Sequence, residues 1–160
     1  MFADLDWWDR AEAALGEEAA SQLVSRATRL IQDATLEATG RVVKVIGEEV
    51  EALFPDALQA ASASIAMQRA VAAMASPVGS RLKICFAWGE VRFEDDGDVF
   101  GDIVGFAARG SRQGESAGRI VLTGEALQRL EPARRSACRL VDSLTRPNGA
   151  KFEYYEMPWK

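Results

Sequence analysis

The side chains of this chain that could do chemistry are carboxylates, amines, guanidinium groups and two thiols, because the sequence contains no histidine. The absence of histidine excludes Ser-His-Asp triads, Cys-His nucleophiles, HExxH zinc sites and histidine acid–base catalysis. A metal ion would therefore be held by oxygen ligands. A general base would be a carboxylate, a lysine or a water molecule.

The two cysteines, Cys85 and Cys138, each lie within an apolar run. Their separation matches no CxxC metal-ligand spacing, so we expect small buried side chains with reduced thiols. The N-terminal segment carries acidic residues where a signal peptide has a basic region and an apolar core. No apolar stretch approaches the roughly 18 residues of a membrane span. These features predict a cytoplasmic protein with no membrane span.

The length of 160 residues and the hydrophobic content of 48% predict a single globular domain over residues 1–160. The formal net charge of −5 predicts no nucleic-acid partner.

The elements that must position any site follow from hydrophobic periodicity. The predicted elements are a helix over 7–39 ended by Gly40, a hairpin of strands 41–46 and 50–54 turning at Gly47, a helix over 57–75, a second hairpin of strands 82–87 and 90–93 turning near Gly89, an acidic loop over 94–98, helices over 101–113 and 124–131, and strands over 119–122, 138–144 and 152–157. The order β-α-β-β-α-β, followed by further strands and helices, predicts an α+β fold with a ferredoxin-like core.

Four stretches resemble the catalytic domain of class III adenylate and guanylate cyclases, and the resemblance spans essentially the whole chain. Residues 2–5, with Leu15-Gly16 downstream, resemble the family's first strand and its lead into the long helix. Residues 40–55 resemble the hairpin written K-x-x-G-D, and residues 88–91 resemble the strand turn before the substrate loop. Residues 98–109 resemble D-x-x-G-x-x-V-N-x-A-x-R, which is the most specific of the four.

The resemblance implies a class III nucleotidyl cyclase fold and its reaction, in which the 3′-hydroxyl of a nucleoside triphosphate attacks its own α-phosphate and pyrophosphate leaves. It also implies two divalent cations, Mg²⁺ or Mn²⁺, held by paired carboxylates at a head-to-tail dimer interface. One protomer would supply the metal carboxylates and the other the base-reading and transition-state residues. The implied residues are Asp4 and Glu48 for the metal, Lys44 and Asp98 for the base, Gly105 and Arg109 for the transition state, and Lys151 for phosphate.

The sequence departs from the family pattern at three places. Glu48 stands where the family has Asp, and the extra methylene moves the oxygens in a way that near-octahedral Mg²⁺ tolerates badly. Gly105 replaces the ribose-orienting Asn and has no side chain to donate a hydrogen bond. The loop after Asp4, residues 6–9, carries two tryptophans and two aspartates where Gly and Thr are expected. Removing one oriented transition-state donor typically costs roughly 10²–10³ in rate.

These departures predict a degenerate cyclase homology domain that acts as a regulatory, dimerising signalling module with at most weak binding of a nucleotide such as ATP. Its partner would be a second copy or another cyclase-like chain. Two alternatives stay open. The chain is a slow adenylate cyclase, in which Glu48 suffices for the metal and Lys44 with Asp98 favours adenine over guanine, or it is one half of a heterodimeric site.

Two structural expectations accompany this prediction. Asp4 should lie beside the Gly47-Glu48 turn, since both metal carboxylates depend on that proximity. The Trp7-Trp8 pair is interpreted as an exposed anchor for a partner rather than a local lid.

Overall fold

The computed structural model describes residues 1–5, 7–112, 118–145, 149 and 151–160. In chain order, its elements are β1 (Phe2–Asp4), α1 (Trp8–Leu15), α2 (Glu17–Glu37), β2 (Arg41–Ile46), β3 (Glu49–Leu53), α3 (Ala57–Ala72), β4 (Lys83–Phe86), β5 (Arg92–Phe93), β6 (Val99–Phe100), α4 (Asp102–Arg112), β7 (Arg119–Thr123), α5 (Gly124–Leu127), α6 (Pro132–Ala137), β8 (Arg139–Thr145) and β9 (Lys151–Met157).

The main sheet has seven strands in the order β2-β3-β1-β4-β7-β9-β8, and β5 and β6 form a separate two-stranded hairpin. Strands β4 and β7 run parallel, whereas the other neighbours are antiparallel. The first four strands, with α1 and α2 between β1 and β2 and α3 between β3 and β4, make the β-α-β-β-α-β unit. The predicted α+β fold with a ferredoxin-like core is confirmed.

Successive residues of a strand point to opposite faces, so the sheet has two differently covered sides. Ala3, Ile84 and Leu122 belong to the main core, which also contains buried residues of α2 and α3. Cys85 and Val121, one position along from Ile84 and Leu122, belong to a second cluster with Tyr154. Helix α4 lies on this second side, against β1, β4 and β7.

A single helix over 7–39 is wrong, because the chain breaks at Gly16, whose φ of +80° lies outside the helical region. The predicted stop at Gly40 is also misplaced: α2 ends at Glu37, and Thr39 takes the left-handed conformation with φ +56°. Gly40 serves another purpose, since a Cβ there would lie 2.6 Å from the ring of Phe54. This glycine permits close approach between the helix end and β3.

The predicted second hairpin over 82–93 is wrong in its pairing. Strand β4 is flanked by β1 and β7, so no edge is left for residues 90–93. Residues Arg92 and Phe93 pair instead with Phe100 and Val99. The predicted acidic loop, 94–98, connects these two short strands.

Near the C-terminus, the helix predicted over 124–131 ends at Leu127, and α6 was not predicted. The helix predicted over 101–113 is found as α4, and Gln113 lies outside the described residues. Among the residues that the structure describes, no helix is both long and apolar enough to cross a membrane.

Candidate functional site

The first predicted pair, Asp4 and Glu48, is brought together by the pairing of β1 with β3. Asp4 is the last residue of β1, and Leu5 N–H donates to the carbonyl of Glu48 over 3.3 Å. Gly47, with φ +59°, makes the turn that returns the chain to β3. The expected proximity of Asp4 to the Gly47-Glu48 turn is confirmed.

Asp4 lies between an acidic and a basic residue of the neighbouring strands. Asp4 pairs in register with Glu49 on β3 and with Lys83 on β4, and directly paired residues share a face of the sheet. The carboxylate of Glu49 accepts a hydrogen bond of 3.0 Å from Nη2 of Arg112, on α4. A basic residue therefore pairs with Asp4 on β4, and a second basic residue, from α4, binds its acidic partner on β3.

Carboxylate oxygens are the ligands that Mg²⁺ and Mn²⁺ prefer, so Asp4 and Glu48 have the right ligand type. Within the described residues, however, no three His, Cys, Asp or Glu side chains form a group able to hold a metal ion. Asp6 lies outside the described residues. The two-cation arrangement that the resemblance implies for Asp4 and Glu48 stays a prediction.

The loop after β1 is organised around Trp7. Its side chain is only 2% exposed and belongs to the main core, while Trp8 is half-buried and packs against the same core. The interpretation of Trp7 as an exposed partner anchor is wrong, because the indole fills the interior beneath the loop. Trp7, Trp8, Asp9 and Arg10 line a cavity of about 320 Å³ together with Glu48. The acidic Asp9 thus shares that cavity with the acidic Glu48.

The second predicted pair, Lys44 and Asp98, is in direct contact. Nζ of Lys44 donates to both carboxylate oxygens of Asp98, each at 2.7 Å, although the residues are 54 positions apart. The hydrogen bond to Asp98 raises the pKa of Lys44, and the same bond lowers the pKa of Asp98. Asp98 Oδ1 also accepts from the backbone N–H of Val99 at 2.8 Å, which fixes the orientation of the carboxylate.

The β5–β6 hairpin holds Asp98 in this position. The guanidinium of Arg41, at the start of β2, donates to the carbonyl of Gly97 over 3.3 and 3.4 Å. The same guanidinium lies 5.7 Å from the ring centroid of Phe93, a cation–π distance. Two residues of β2 therefore bind the hairpin, Arg41 at Gly97 and Lys44 at Asp98.

A third charged residue of this cluster, Glu51, was not identified from the sequence. Glu51 pairs in register with Lys44, and its side chain is only 3% exposed. Its Oε2 is buried, accepts no hydrogen bond and lies 3.5 Å from Nζ of Lys44. Burial raises the pKa of Glu51 despite the nearby ammonium. The sequence feature that could have identified Glu51 is the alternation of side chains along β3, which places Glu49 and Glu51 on the same face as Lys44.

The transition-state pair lies on α4. Gly105 and Arg109 are one helical turn apart and both are exposed. A Cβ at Gly105 would meet no atom within 4 Å, so the position has room for a side chain. Gly110, by contrast, is packed so closely against Cys85 that a Cβ there would clash with its sulfur. Helix α4 is held to the sheet on one side and presents Gly105 and Arg109 on the other.

Lys151 lies apart from these residues. It lines a groove with Glu125, Gln128 and Tyr155, and Tyr155 packs against the main core. Lys44, Asp4 and α4 lie on the other face of the sheet. The structure thus separates Lys151 from the other predicted site residues.

No protein-family model and no curated protein matches the chain. Solved structures match it over 98% of its length. An adenylate cyclase of Trypanosoma brucei, in its monomeric state, has a TM-score of 0.81 at 14% identity, over 85% of that chain. An adenylate/guanylate cyclase/hydrolase from Silicibacter pomeroyi has a TM-score of 0.72 at 23% identity, over 94% of that chain. A dimeric guanylyl cyclase domain from the fungus Blastocladiella emersonii has a TM-score of 0.71 at 14% identity, over 92% of that chain. The chain has the fold of the adenylate and guanylate cyclase catalytic domains.

Proposed function

We propose that this chain is a degenerate cyclase-fold domain that binds a nucleotide weakly and acts as a dimerising regulatory module without cyclase turnover. Its location is proposed to be cytoplasmic, and the unpaired thiols of Cys85 and Cys138 are compatible with a reducing compartment.

The observation that carries the proposal is the surroundings of Asp4. A divalent cation at Asp4 and Glu48 would meet Lys83 on the paired strand and the guanidinium of Arg112 on Glu49. Positive charges on residues next to Asp4 repel a cation bound there, and the repulsion is strongest where water is excluded. Gly105 also removes a hydrogen-bond donor, because no side chain there can donate to a ribose oxygen.

Weak nucleotide binding is supported by the Lys44–Asp98 pair. Its two hydrogen bonds of 2.7 Å hold an ammonium and a carboxylate next to each other before any ligand arrives. The pair is half-exposed, with side-chain exposures of 37% and 23%, so a base edge could reach it. A preformed polar pair costs less ordering free energy on binding than a mobile one.

Dimerisation is supported by large apolar side chains left exposed near this pair. Phe93 is 64% exposed, Phe100 47%, Ile46 55% and Val45 43%. The first two lie on the β5–β6 hairpin and the last two on the edge strand β2. Exposed apolar residues gathered on adjacent elements mark interaction surfaces. The structural neighbour from Blastocladiella emersonii is dimeric.

The test is a thermal-shift titration with ATP and GTP, each with Mg²⁺, with Mn²⁺ and with a chelator, run beside a cyclase assay. At ten times Kd, a ligand stabilises the fold by roughly 1.4 kcal/mol, which corresponds to a Tm rise of roughly 3–6 °C. We expect such a rise at millimolar nucleotide with and without metal, and no cyclic nucleotide product. Asp98→Asn should abolish the rise, and the exposed control Asp33→Asn should keep it.

Two results would contradict the proposal. Formation of cyclic nucleotide with Mg²⁺ that is lost in Asp4→Ala would show an active cyclase. A Tm that does not change at any nucleotide concentration would contradict the proposed nucleotide binding. Analytical ultracentrifugation that finds a monomer at high concentration would leave only an assembly with a different chain.

A second candidate function is one half of a heterodimeric cyclase. The preformed Lys44–Asp98 pair and the exposed Arg109 favour it, because these residues serve a site whose metal carboxylates come from the other protomer. Mixing this chain with a cyclase domain that retains its metal carboxylates but lacks its base-reading lysine should then restore turnover. Mixing it with the same domain lacking those carboxylates should not.

A further inference from the structure

Three carboxylate oxygens lie within 3.5 Å of Nζ of Lys44, one for each of its three N–H donors. Two are directed to Asp98, at 2.7 Å each. The third has Oε2 of Glu51 at 3.5 Å, a buried carboxylate oxygen that accepts no hydrogen bond in the structure. Leaving such an oxygen without a donor is costly, so the third N–H is drawn toward Glu51 rather than toward solvent.

We propose that Glu51 is a positioning residue that withholds Lys44 from the base edge, so that this site does not select adenine. The inference rests on the proposed nucleotide binding and names its base preference. Glu51 acts through Lys44 and cannot contact a ligand, because its side chain is 3% exposed.

The chemistry of the two purine edges gives the consequence. Adenine presents an acceptor at N1 beside a donor at N6, and it needs both a donor and an acceptor from the protein. Guanine presents donors at N1 and N2, which a carboxylate alone can accept. Asp98 uses three of its roughly four lone pairs on Lys44 and Val99, which leaves it one for a base N–H. With the third N–H drawn toward Glu51, Lys44 offers no donor to adenine N1.

The first experiment measures Lys44 without any nucleotide. The chain is treated briefly with an acylating reagent, and the rates at Lys44 and at the exposed Lys151 are read by peptide mass spectrometry. Glu51→Leu should raise the Lys44 rate about threefold, because one carboxylate no longer holds its proton. The rate at Lys151 should not change. Glu18→Leu, which removes an exposed glutamate of α2, is the matched control and should leave both rates as they are.

The second experiment measures ATP and GTP affinities in the presence of a chelator. The wild type should bind GTP at least as tightly as ATP. Glu51→Leu should shift the ATP:GTP affinity ratio about tenfold toward ATP, the size of one hydrogen bond to a charged donor. Glu51→Gln, which keeps an acceptor without the charge, should give an intermediate ratio.

The outcomes separate this inference from the proposed function. An unchanged Lys44 rate in Glu51→Leu, or a wild type that already prefers ATP tenfold, overturns the role of Glu51 alone. No nucleotide binding in any variant overturns the proposed function and the base preference together. In that case a raised Lys44 rate would still establish the contact between Glu51 and Lys44.

Discussion

Replacing Trp7 by alanine tests whether the loop after β1 is built on a core residue. Trp7 is 2% exposed, and truncating a fully buried large aromatic side chain typically costs about 3–5 kcal/mol. Its buried Nε1 has no hydrogen-bond partner, so removing it relieves roughly 1 kcal/mol of desolvation cost. The expected net loss is therefore about 2–4 kcal/mol, or a fall in Tm of roughly 4–16 °C.

Urea unfolding followed by far-UV circular dichroism measures this loss without relying on tryptophan fluorescence. Trp8→Ala is the control, because Trp8 is half-buried, and it should cost about half as much or less. A loss below about 1 kcal/mol for Trp7→Ala, or a larger loss for Trp8→Ala, would refute the core assignment. If Trp7 instead anchored a partner, its substitution would weaken dimerisation and leave the unfolding free energy unchanged.

Gly110→Ala should lower the unfolding free energy by about 1–3 kcal/mol through overpacking against Cys85, whereas Gly105→Ala should raise it by up to about 1 kcal/mol. Equal effects in urea unfolding would contradict the packing of α4. Because burial raises the pKa of Glu51 above its ordinary value of 4.5, ionisation of Glu51 opposes folding. This destabilisation is absent below pH 4.5 and complete above the raised pKa of the folded state. The unfolding free energy of Glu51→Leu should therefore exceed that of the wild type by an amount that grows as pH rises through this window. A difference that does not change with pH would contradict the destabilisation by ionised Glu51. The double variant Glu48→Asp with Gly105→Asn should stay without cyclic nucleotide product by mass spectrometry, even with Mn²⁺, since Lys83 and Arg112 remain. Product formation would show that those two positions alone silence the site.

The strands of the main sheet could be predicted from the sequence because each has enough residues for its period to show. Strands β2, β8 and β9 were placed within about two residues of their observed ends. Strands β5 and β6 have two residues each, too few for a period, so their pairing could not be predicted. The break at Gly16 was missed because hydrophobic residues continue at helical spacing on both sides of it.

For the site residues too, the sequence predicted some features and missed others. The contact between Lys44 and Asp98 followed from motifs, since nothing in local periodicity relates residues 54 positions apart. Glu51 was missed because a glutamate in an alternating strand is normally assigned to the solvent face, whereas its side chain is buried beside Lys44 here. Trp7 was assigned to the surface because a pair of tryptophans is a common feature of interfaces, and only the tertiary fold shows that its indole is buried.

The attachment of the β5–β6 hairpin has a consequence for motion. The hairpin belongs to no other sheet, and two cations of β2, Arg41 and Lys44, hold it through ionic and polar contacts. Such contacts weaken with salt, whereas the apolar packing of β1, β4 and β7 does not. The hairpin should therefore open as a separate low-stability unit, with amide exchange across 92–100 that accelerates at high ionic strength. Each opening carries Asp98 away from Lys44, so the lifetime of the closed hairpin sets how long the pair exists.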